Sequence, residues 1–380
     1  MQRLLSSCAA ACVSAALGAT PSAASATQTS FPRLLNDTGS VTCYVPDRGG
    51  TEIPCEGTGQ DGQYGRDVTD WRKFDGRGGF SYRKISSTGE PLPASATEWA
   101  CVQDRITGLM WEMKTADGGL HDGLRTYTQL NNGDSDDVSG FVREVNQAGL
   151  CGHNDWRLPA RMELQSIIDL GHHAPLVVDG WFPNTPASYF WASTKSADGA
   201  AYWSAGFKSG AVLDLEPGSS SNAARLVRGK KFLPGEHAEG RYVTDGDKVT
   251  DTSTGLVWRR CPEGMGWDGV TCAGDPLRVK WRAALDLAHA AHYDGASWRL
   301  PNATELFSIV DDKRDFPAID VDAFPGIAGM SLPWFWTATP ELPTRHATSI
   351  TAVWHVDFMS GSLTTEDLAA SRAVRLVRVD

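Results

Sequence analysis

Residues 156–159, Trp-Arg-Leu-Pro, return unchanged as residues 298–301, and this repeated phrase decides the fold. The same spaced residues follow both copies: Glu163, Leu164, Ser166, Ile167 and Asp169 after the first, and Glu305, Leu306, Ser308, Ile309 and Asp311 after the second. Nine matched positions in so short a span are not expected by chance. The sequence therefore predicts a duplicated structural unit.

The phrase predicts a corner between a strand and a helix. Proline disfavours the helical region for the residue before it, so Trp-Arg-Leu is expected to be extended and a helix can begin only at or after the proline. Leu164, Ile167 and Ile168 then lie at i, i+3 and i+4 on one buried face. The residues assigned to this corner and the strand beside it are Trp111, Trp156, Arg157, Pro159, Glu163, Trp258, Trp298, Arg299, Pro301 and Glu305.

The two corner glutamates have two interpretations. Glu163 and Glu305 are candidate catalytic carboxylates, but Glu305 follows Asn302 by three residues, which is the spacing of a helix-capping pair. We favour capping because such pairs are common. Ala160 occupies the cap position of the first copy and has no side-chain acceptor, so a weaker helix end is expected there.

The corner arginines and a second pair of tryptophans also have a structural interpretation. Arg157 and Arg299 are candidate anion ligands, but beside a buried tryptophan an internal ion pair is favoured. Trp203 and Trp354 recur in both copies, which favours core positions over a ligand platform.

Further matched phrases define the duplication. Residues 102–111 match 249–258 at an offset of 147, and each copy ends in Arg-Leu-Val-Arg, at 225–228 and 375–378. A period this long indicates tandem domains rather than a solenoid. The expected organisation is a leader segment at 27–98 that packs onto the first copy, domains at 99–229 and 242–380, and a linker at 230–241.

The order of elements within a copy predicts an α+β fold. The phrase Thr-Gly-Leu-x-Trp predicts a turn followed by a strand. Residues 281–291 show helical spacing just before the second corner. Residues 141–145 do so less clearly in the first copy. Short aromatic runs follow, interrupted by glycine, serine and asparagine. Each copy should therefore contain two helices and a small, mainly antiparallel sheet.

Residues 1–26 have the anatomy of a secretory signal peptide. A single charge precedes an apolar run at 4–17, and Ala-Ser-Ala at 24–26 is typical of a cleavage site. The alternative of a lipoprotein modified at Cys8 or Cys12 places the cysteine before the apolar region is complete. No later stretch reaches the ~18 apolar residues of a membrane helix. We expect a secreted, periplasmic or cell-surface protein without a transmembrane segment.

The remaining six cysteines are expected to form disulfides, since thiols pair in an oxidising compartment. Six cysteines allow about 15 connectivities, and the sequence alone does not choose among them. Proximity favours Cys43 with Cys55 and Cys261 with Cys272, which leaves Cys101 with Cys151. A zinc site is disfavoured because no pair has two-residue spacing.

Charge and composition exclude several partners. With 35 Lys and Arg against 46 Asp and Glu, the net charge is −11, which argues against nucleic acid but leaves room for a local basic patch. Asp134, Asp136 and Asp137 suggest a calcium loop, but the required glycine and glutamate are missing, so a solvated acidic loop is favoured. His289 and His292 are interpreted as a surface pair on one helix face. We expect no metal and no cofactor.

The sequence resembles tandem copies of the Lcl C-terminal domain family, a bacterial family named for a collagen-like adhesin. The phrases that carry the resemblance are residues 107–115, 151–163, 182–186 and the closing Arg-Leu-Val-Arg. Residues 35–39 and 59–67 resemble the leader that precedes such domains. More remotely, the corner and the closing strand resemble the C-type-lectin-like fold of formylglycine-generating enzymes.

Neither remote activity transfers to this chain. The calcium-binding triplets Glu-Pro-Asn, Gln-Pro-Asp and Trp-Asn-Asp of lectins with this fold are absent from the sequence. Formylglycine-generating enzymes use cysteines in their catalytic half, and here no cysteine follows Cys272. The resemblance therefore implies a fold rather than a reaction.

The functional hypothesis is a secreted, non-catalytic recognition module, such as an adhesin that binds a glycan or a matrix component. The alternatives are an enzyme distantly related to the formylglycine-generating group and a structural envelope protein. Loop residues that differ between the copies are the candidate ligand contacts: Lys195, Asp198, Tyr202, Lys208, Arg345, His346 and His355.

Overall fold

A computed structural model describes residues 35–69, 78–230, 239–293 and 295–379. The expected signal peptide at 1–26 and residues 231–238 of the expected linker lie outside the described residues. Within the described part of the chain, no helix combines the length and apolar character that crossing a membrane requires.

The described elements are mostly short strands. The helices are α1 (Arg66–Thr69), α2 (Val138–Ala148), α3 (Arg161–Gln165), α4 (Trp281–Ala290) and α5 (Ala303–Ser308), with 3-10 turns at Asp61–Gln63, Leu150–Gly152 and Pro325–Ile327. The strands up to the middle of the chain are β1 (Cys43–Tyr44), β2 (Gly50–Ile53), β3 (Tyr82–Ile85), β4 (Pro91–Leu92), β5 (Cys101–Asp104), β6 (Met110–Glu112), β7 (Thr126–Tyr127), β8 (Tyr189–Lys195), β9 (Tyr202–Gly206), β10 (Val212–Glu216), β11 (Asn222–Ala223) and β12 (Val227–Arg228).

The remaining strands belong to the second half of the chain. They are β13 (Tyr242–Asp245), β14 (Lys248–Asp251), β15 (Leu256–Arg259), β16 (Gly266–Trp267), β17 (Cys272–Ala273), β18 (Arg278–Val279), β19 (His292–Tyr293), β20 (Ala296–Ser297), β21 (Trp334–Pro340), β22 (Ser349–Ile350), β23 (Ala352–Asp357), β24 (Ser362–Asp367), β25 (Arg372–Ala373) and β26 (Val377–Val379). The fold is therefore mixed α+β and mostly β.

The same strand order occurs twice. A small sheet runs β12-β6-β5-β3-β4 in the first half, and its counterpart runs β26-β15-β14-β13 in the second. A ten-stranded sheet runs β18-β25-β21-β23-β24-β10-β9-β8-β11-β7, and its two halves mirror each other about the β24–β10 contact. Strands β3 and β4 extend the first small sheet into the segment expected to be a leader.

The two repeats meet at one antiparallel strand pair. Val212 of β10 lies opposite Leu363 of β24, and these residues occupy equivalent positions in the two copies. Such a self-matching contact is the signature of a two-fold interface, formed here within one chain. Apolar residues of both copies, including Leu164 and Leu306, join one continuous core cluster.

Each corner is held by one buried carboxylate. The Arg157 guanidinium donates two hydrogen bonds of 2.7 Å to Glu163, and Arg299 donates two of 2.7 Å to Glu305. The same carboxylates accept the helix-start N–H groups of Ala160 at 2.8 Å and Asn302 at 2.9 Å. Capping and the internal ion pair, expected as separate roles, are therefore performed by the same glutamate.

The cap of the second corner is complete and that of the first is half formed. Asn302 Oδ1 accepts the Glu305 N–H at 2.8 Å, whereas Ala160 offers no side-chain acceptor for the equivalent donor. The corner backbone pairs with the closing Arg-Leu-Val-Arg segment, through Arg157 with Val227 and Arg299 with Val377.

The leader segment binds both repeats, not only the first. Asn36 Nδ2 donates to Asp104 Oδ2 at 2.6 Å and to the Ser166 carbonyl at 2.8 Å. Arg241, the last residue of the expected linker, makes the equivalent contacts in the second half of the chain, to Asp251 at 2.7 Å and to the Ser308 carbonyl at 2.8 Å. Asn36 of the leader thus makes for the first repeat the contacts that Arg241 makes for the second.

The leader also buries two carboxyl groups against the second repeat. Asp61 Oδ2 accepts hydrogen bonds of 2.6 Å from the hydroxyls of Thr38 and Thr339. Asp37 Oδ1 accepts one of 2.8 Å from Asn302 Nδ2. Burial, followed by the charge of Asp37, raises the pKa of Asp61 to about 8.

Three disulfides join Cys43–Cys55, Cys101–Cys151 and Cys261–Cys272. Proximity favoured the first and the third of these pairs, and elimination left the second. Two expectations from the sequence, one about a histidine pair and one about an acidic loop, need correction. Helix α4 ends at Ala290, so His292 lies beyond it in β19 and does not share a helix face with His289. Asp137 is buried as the N-cap of α2, where it accepts the Ser139 N–H at 2.9 Å, whereas Asp134 and Asp136 are exposed.

We expect Glu163→Gln to lower the free energy of unfolding by about 2 kcal/mol, because it leaves the Arg157 charge without its buried partner. This is below the ~3–5 kcal/mol of a fully buried pair because the Arg157 side chain is 30 % exposed. Urea unfolding measures the change. The matched control is Glu144→Gln, which disrupts only a surface pair with Arg143 and should cost less than about 0.5 kcal/mol. Equal losses in the two variants would contradict the role of the corner pair.

We expect the leader to loosen as pH rises. Asp61 keeps its proton in the folded protein until about pH 8, whereas the unfolded chain releases it near its ordinary value, so the free energy of unfolding falls between those limits. Asp61→Asn cannot titrate. The variant should therefore gain stability relative to the natural protein from pH 5 to pH 8, by on the order of 2 kcal/mol in urea unfolding. A parallel pH profile for both proteins would refute this, and exposed Asp286→Asn is the control.

Candidate functional site

A groove of about 290 Å³ lies at the junction between the two repeats, and we call it the junction groove. One wall is the loop after β21 in the second repeat, and the other is the loop after α3 in the first repeat. The lining residues are Leu170, His172, His173, Ala174, Leu176, Lys208, Ser209, Glu341, Leu342, Pro343, Thr344, Arg345 and Trp354.

The wall from the second repeat is a copy-specific extension. Pro340 lies opposite Val353 with twelve residues between them, whereas the equivalent Lys195 and Tyr202 have six between them. The loop is therefore six residues longer in the second copy (12 − 6). Its far end is held by the leader, because β22 pairs with β2 through Ile350 and Gly50.

The opposite wall is fixed by backbone contacts on both sides. Leu170 N–H donates to the Thr38 carbonyl of the leader at 2.8 Å, and Leu176 N–H donates to the Phe207 carbonyl at 2.9 Å. Between them, His172 Nε2 lies 3.0 Å from Asp179 Oδ2, and Nδ1 lies 2.6 Å from the His173 carbonyl. The histidine pair is thus presented on a constrained loop.

The groove concentrates basic groups. Lys208 and Arg345 are exposed at its rim, beside the two histidines. Burial, followed by the nearby charges of Arg345 and His172, lowers the pKa of His173. Charges of one sign repel each other across the groove, and a bound anion would relieve that repulsion.

One carboxyl group faces these bases within the groove lining. Glu341 is partly buried, and burial raises the pKa of its carboxyl. The floor is apolar, formed in part by Leu170, Leu176 and Trp354, of which Trp354 is only 2 % exposed. The groove therefore offers an apolar base and a cationic rim.

The space continues past the loop into a second compartment of about 380 Å³. His173 and residues 342–345 line both compartments, so Arg345 stands where they meet. The additional lining comes from the leader strands and the same loop: Tyr44, Thr51, Glu52, Ala347 and Thr348. The combined length suits an extended ligand.

The structure divides the candidate ligand contacts into four groups. Lys208 and Arg345 line the junction groove, and Lys195 lines a separate groove. Asp198 closes its own turn by accepting the Ala200 N–H at 3.0 Å, and His346 is exposed outside the groove lining.

The other two candidates are buried in strands. Tyr202 is 9 % exposed, and its hydroxyl accepts a hydrogen bond of 3.0 Å from Asn131. His355 is 3 % exposed, lies 5.6 Å from the Trp334 ring, and burial lowers its pKa to about 4. Burial removes both from the residues that a ligand can reach.

Sequence reasoning missed His172, His173 and Glu341. The available signal was the adjacent histidine pair, which stands where the second copy has Arg314 and Asp315. Among the residues with described positions, no group of three or more His, Cys, Asp or Glu side chains is arranged to hold a metal ion.

Comparison with known proteins gives the family. No curated protein matches the sequence significantly. The family model of the Lcl C-terminal domain matches residues 100–228 and 247–378, which together cover more than half of the chain. These ranges carry both corners and both closing segments. The chain therefore belongs to the Lcl C-terminal domain family and contains two tandem copies of that domain.

Proposed function

We propose that this protein is a non-catalytic recognition protein that binds an acidic saccharide in the junction groove. The observation that carries the proposal is the gathering of Lys208, Arg345, His172 and His173 around an apolar floor. Cations at the rim suit a carboxylate or sulfate, and the apolar floor suits the C–H face of a sugar ring.

We also propose that each repeat has the C-type-lectin-like fold. The support is the corner joined to the closing strand and the pair of helices in each copy. Folds of this kind carry recognition on loops held by a rigid scaffold. The extended loop after β21 is such a loop, since the strands on both of its sides are buried.

A short acidic saccharide is favoured over nucleic acid. The net charge of −11 repels a long polyanion, whose binding needs many phosphate contacts over a broad basic face. A groove with a few cations accepts a short anionic segment instead. Three disulfides and the signal-like residues 1–26 support a location outside the cytoplasm, where glycans of cell surfaces and matrices occur.

An enzyme is the less favoured alternative. The raised pKa of Glu341 is what a general acid requires, but glycoside hydrolysis typically uses a pair of carboxyl groups. In the described lining of the 290 Å³ compartment, Glu341 is the one carboxyl group, and Glu52 lines only the second compartment. Glu341 is therefore better suited to controlling how strongly the groove attracts an anionic ligand than to catalysing hydrolysis.

We expect Arg345→Ala and Lys208→Ala each to weaken binding of a uronic-acid tetrasaccharide by about tenfold, because each removes a charge-assisted contact. Isothermal titration calorimetry measures the affinity. Lys280→Ala, an exposed lysine outside the groove lining, is the charge-matched control and should bind normally. Unchanged affinity in both groove variants would refute the junction groove as the site.

We expect binding to strengthen as pH falls from 8 to 5. Ionised Glu341 repels an anion, and its raised pKa means that it takes up a proton at a higher pH than an ordinary glutamate. Protonation of His173 adds positive charge in the same direction, at a lower pH than for an ordinary histidine because burial lowers its pKa. Glu341→Gln should flatten part of this pH profile, and the same saccharide with its carboxyl groups reduced should show little pH dependence. Stronger binding at pH 8 would contradict the assignment.

A further inference from the structure

A second groove of about 350 Å³ lies elsewhere on the boundary between the repeats, and we call it the hydroxyl groove. Its lining residues are Ser193, Thr194, Lys195, Ser196, Ala197, Asp312 and Lys313. Five of these seven come from the first repeat and two from the second, so this groove also depends on both copies.

The hydroxyl groove is the internal-symmetry counterpart of the junction groove. The junction groove uses the loop after β21 of the second repeat and the loop after α3 of the first. The hydroxyl groove uses the end of β8 in the first repeat, which is equivalent to β21, and the loop after α5 of the second, which is equivalent to α3. The two-fold contact at Val212 and Leu363 relates these positions.

The charge of the one acidic side chain in this lining is neutralised internally. Asp312 pairs with Arg161, whose Nε and Nη2 lie 2.6 Å from Asp312 Oδ1. Arg161 is itself 1 % exposed, donates to the Gly361 carbonyl at 2.8 Å and stacks 3.9 Å from the Trp203 ring. Asp312 therefore does little to offset the two lysines.

Both lysines of the lining are exposed, and each belongs to a different repeat. Lys195 belongs to the first repeat, with its ammonium 5.1 Å from the centre of the Tyr202 ring, and Lys313 belongs to the second. Ser193 and Thr194 add hydroxyl groups to the same lining, and Thr194 Oγ1 already accepts the Arg161 N–H at 3.0 Å. Hydroxyls both donate to and accept from sugar hydroxyls. This combination suits one anionic sugar unit rather than a chain.

We propose that the hydroxyl groove is a second, weaker site for the same class of acidic saccharide, so that one chain binds two anionic sugar segments. This inference rests on the proposed function for its ligand class. The shorter loop after β8 limits the site to a terminal unit, whereas the junction groove accepts an extended one. Two unequal sites on one chain would increase avidity for a surface that displays many acidic sugars.

The test is a calorimetric titration of the full chain with the uronic-acid tetrasaccharide. The natural protein should show two sites of unequal affinity. Lys195→Ala/Lys313→Ala should retain only the stronger site, and Lys208→Ala/Arg345→Ala should retain only the weaker one. Combining all four changes should reduce binding at both sites by about tenfold or more. Circular dichroism checks that each variant is folded.

The outcomes separate this inference from the proposed function. One site that depends only on Lys208 and Arg345 would overturn the hydroxyl groove and leave the proposed function intact. One site that depends only on Lys195 and Lys313 would support the hydroxyl groove and refute the junction groove. Complete absence of binding by the natural protein would overturn both.

A second measurement avoids variants. Acetylation of surface lysines, read by mass spectrometry at saturating tetrasaccharide, should be slowed at Lys195 and Lys313 and unchanged at exposed Lys280. Unslowed acetylation of Lys195 and Lys313 under those conditions would overturn the proposal.

Discussion

The ion pair between an arginine and a buried glutamate at each corner is the interaction on which the rest of the structure depends. Glu163 and Glu305 each neutralise an arginine and accept the N–H at the start of a short helix. The same arginines pair through their backbone with the closing strands. A buried ion pair adds little net stability, because desolvation offsets its attraction. Its main effect here is to fix where each helix begins relative to its small sheet.

The fixed helices determine where the two grooves form. Helices α3 and α5 meet at the junction, where Gln165 Nε2 donates to Thr304 Oγ1 at 3.0 Å. The loops that follow them are thereby directed toward the other repeat. A single copy of the domain would supply only one wall of each groove. Both grooves are thus a consequence of the duplication, and neither could be recognised from one copy alone.

Sequence reasoning succeeded where the constraint is local. The proline, the matched apolar positions and the capping spacing specify the corner within a dozen residues, and short loops favoured two of the disulfides. Sequence reasoning failed at Tyr202 and His355, because a position that differs between the copies is variable but need not be exposed. Both side chains lie in strands near the middle of the ten-stranded sheet and are buried. The groove walls, near residues 170 and 345, are brought together only by the contact between repeats.

The two grooves differ because the loop after β21 in the second copy is longer than its counterpart in the first. Closing a longer loop costs little additional entropy, so six extra residues after β21 are tolerated without changing the core. Pairing of β22 with the leader strand β2 orders that loop and makes the leader part of the wall. The acidic character of the chain as a whole would then make this small cationic surface more selective for short anionic ligands. On the proposed function, a long polyanion would meet repulsion along most of its length, whereas a short acidic segment would interact mainly with Lys208, Arg345 and the histidine pair.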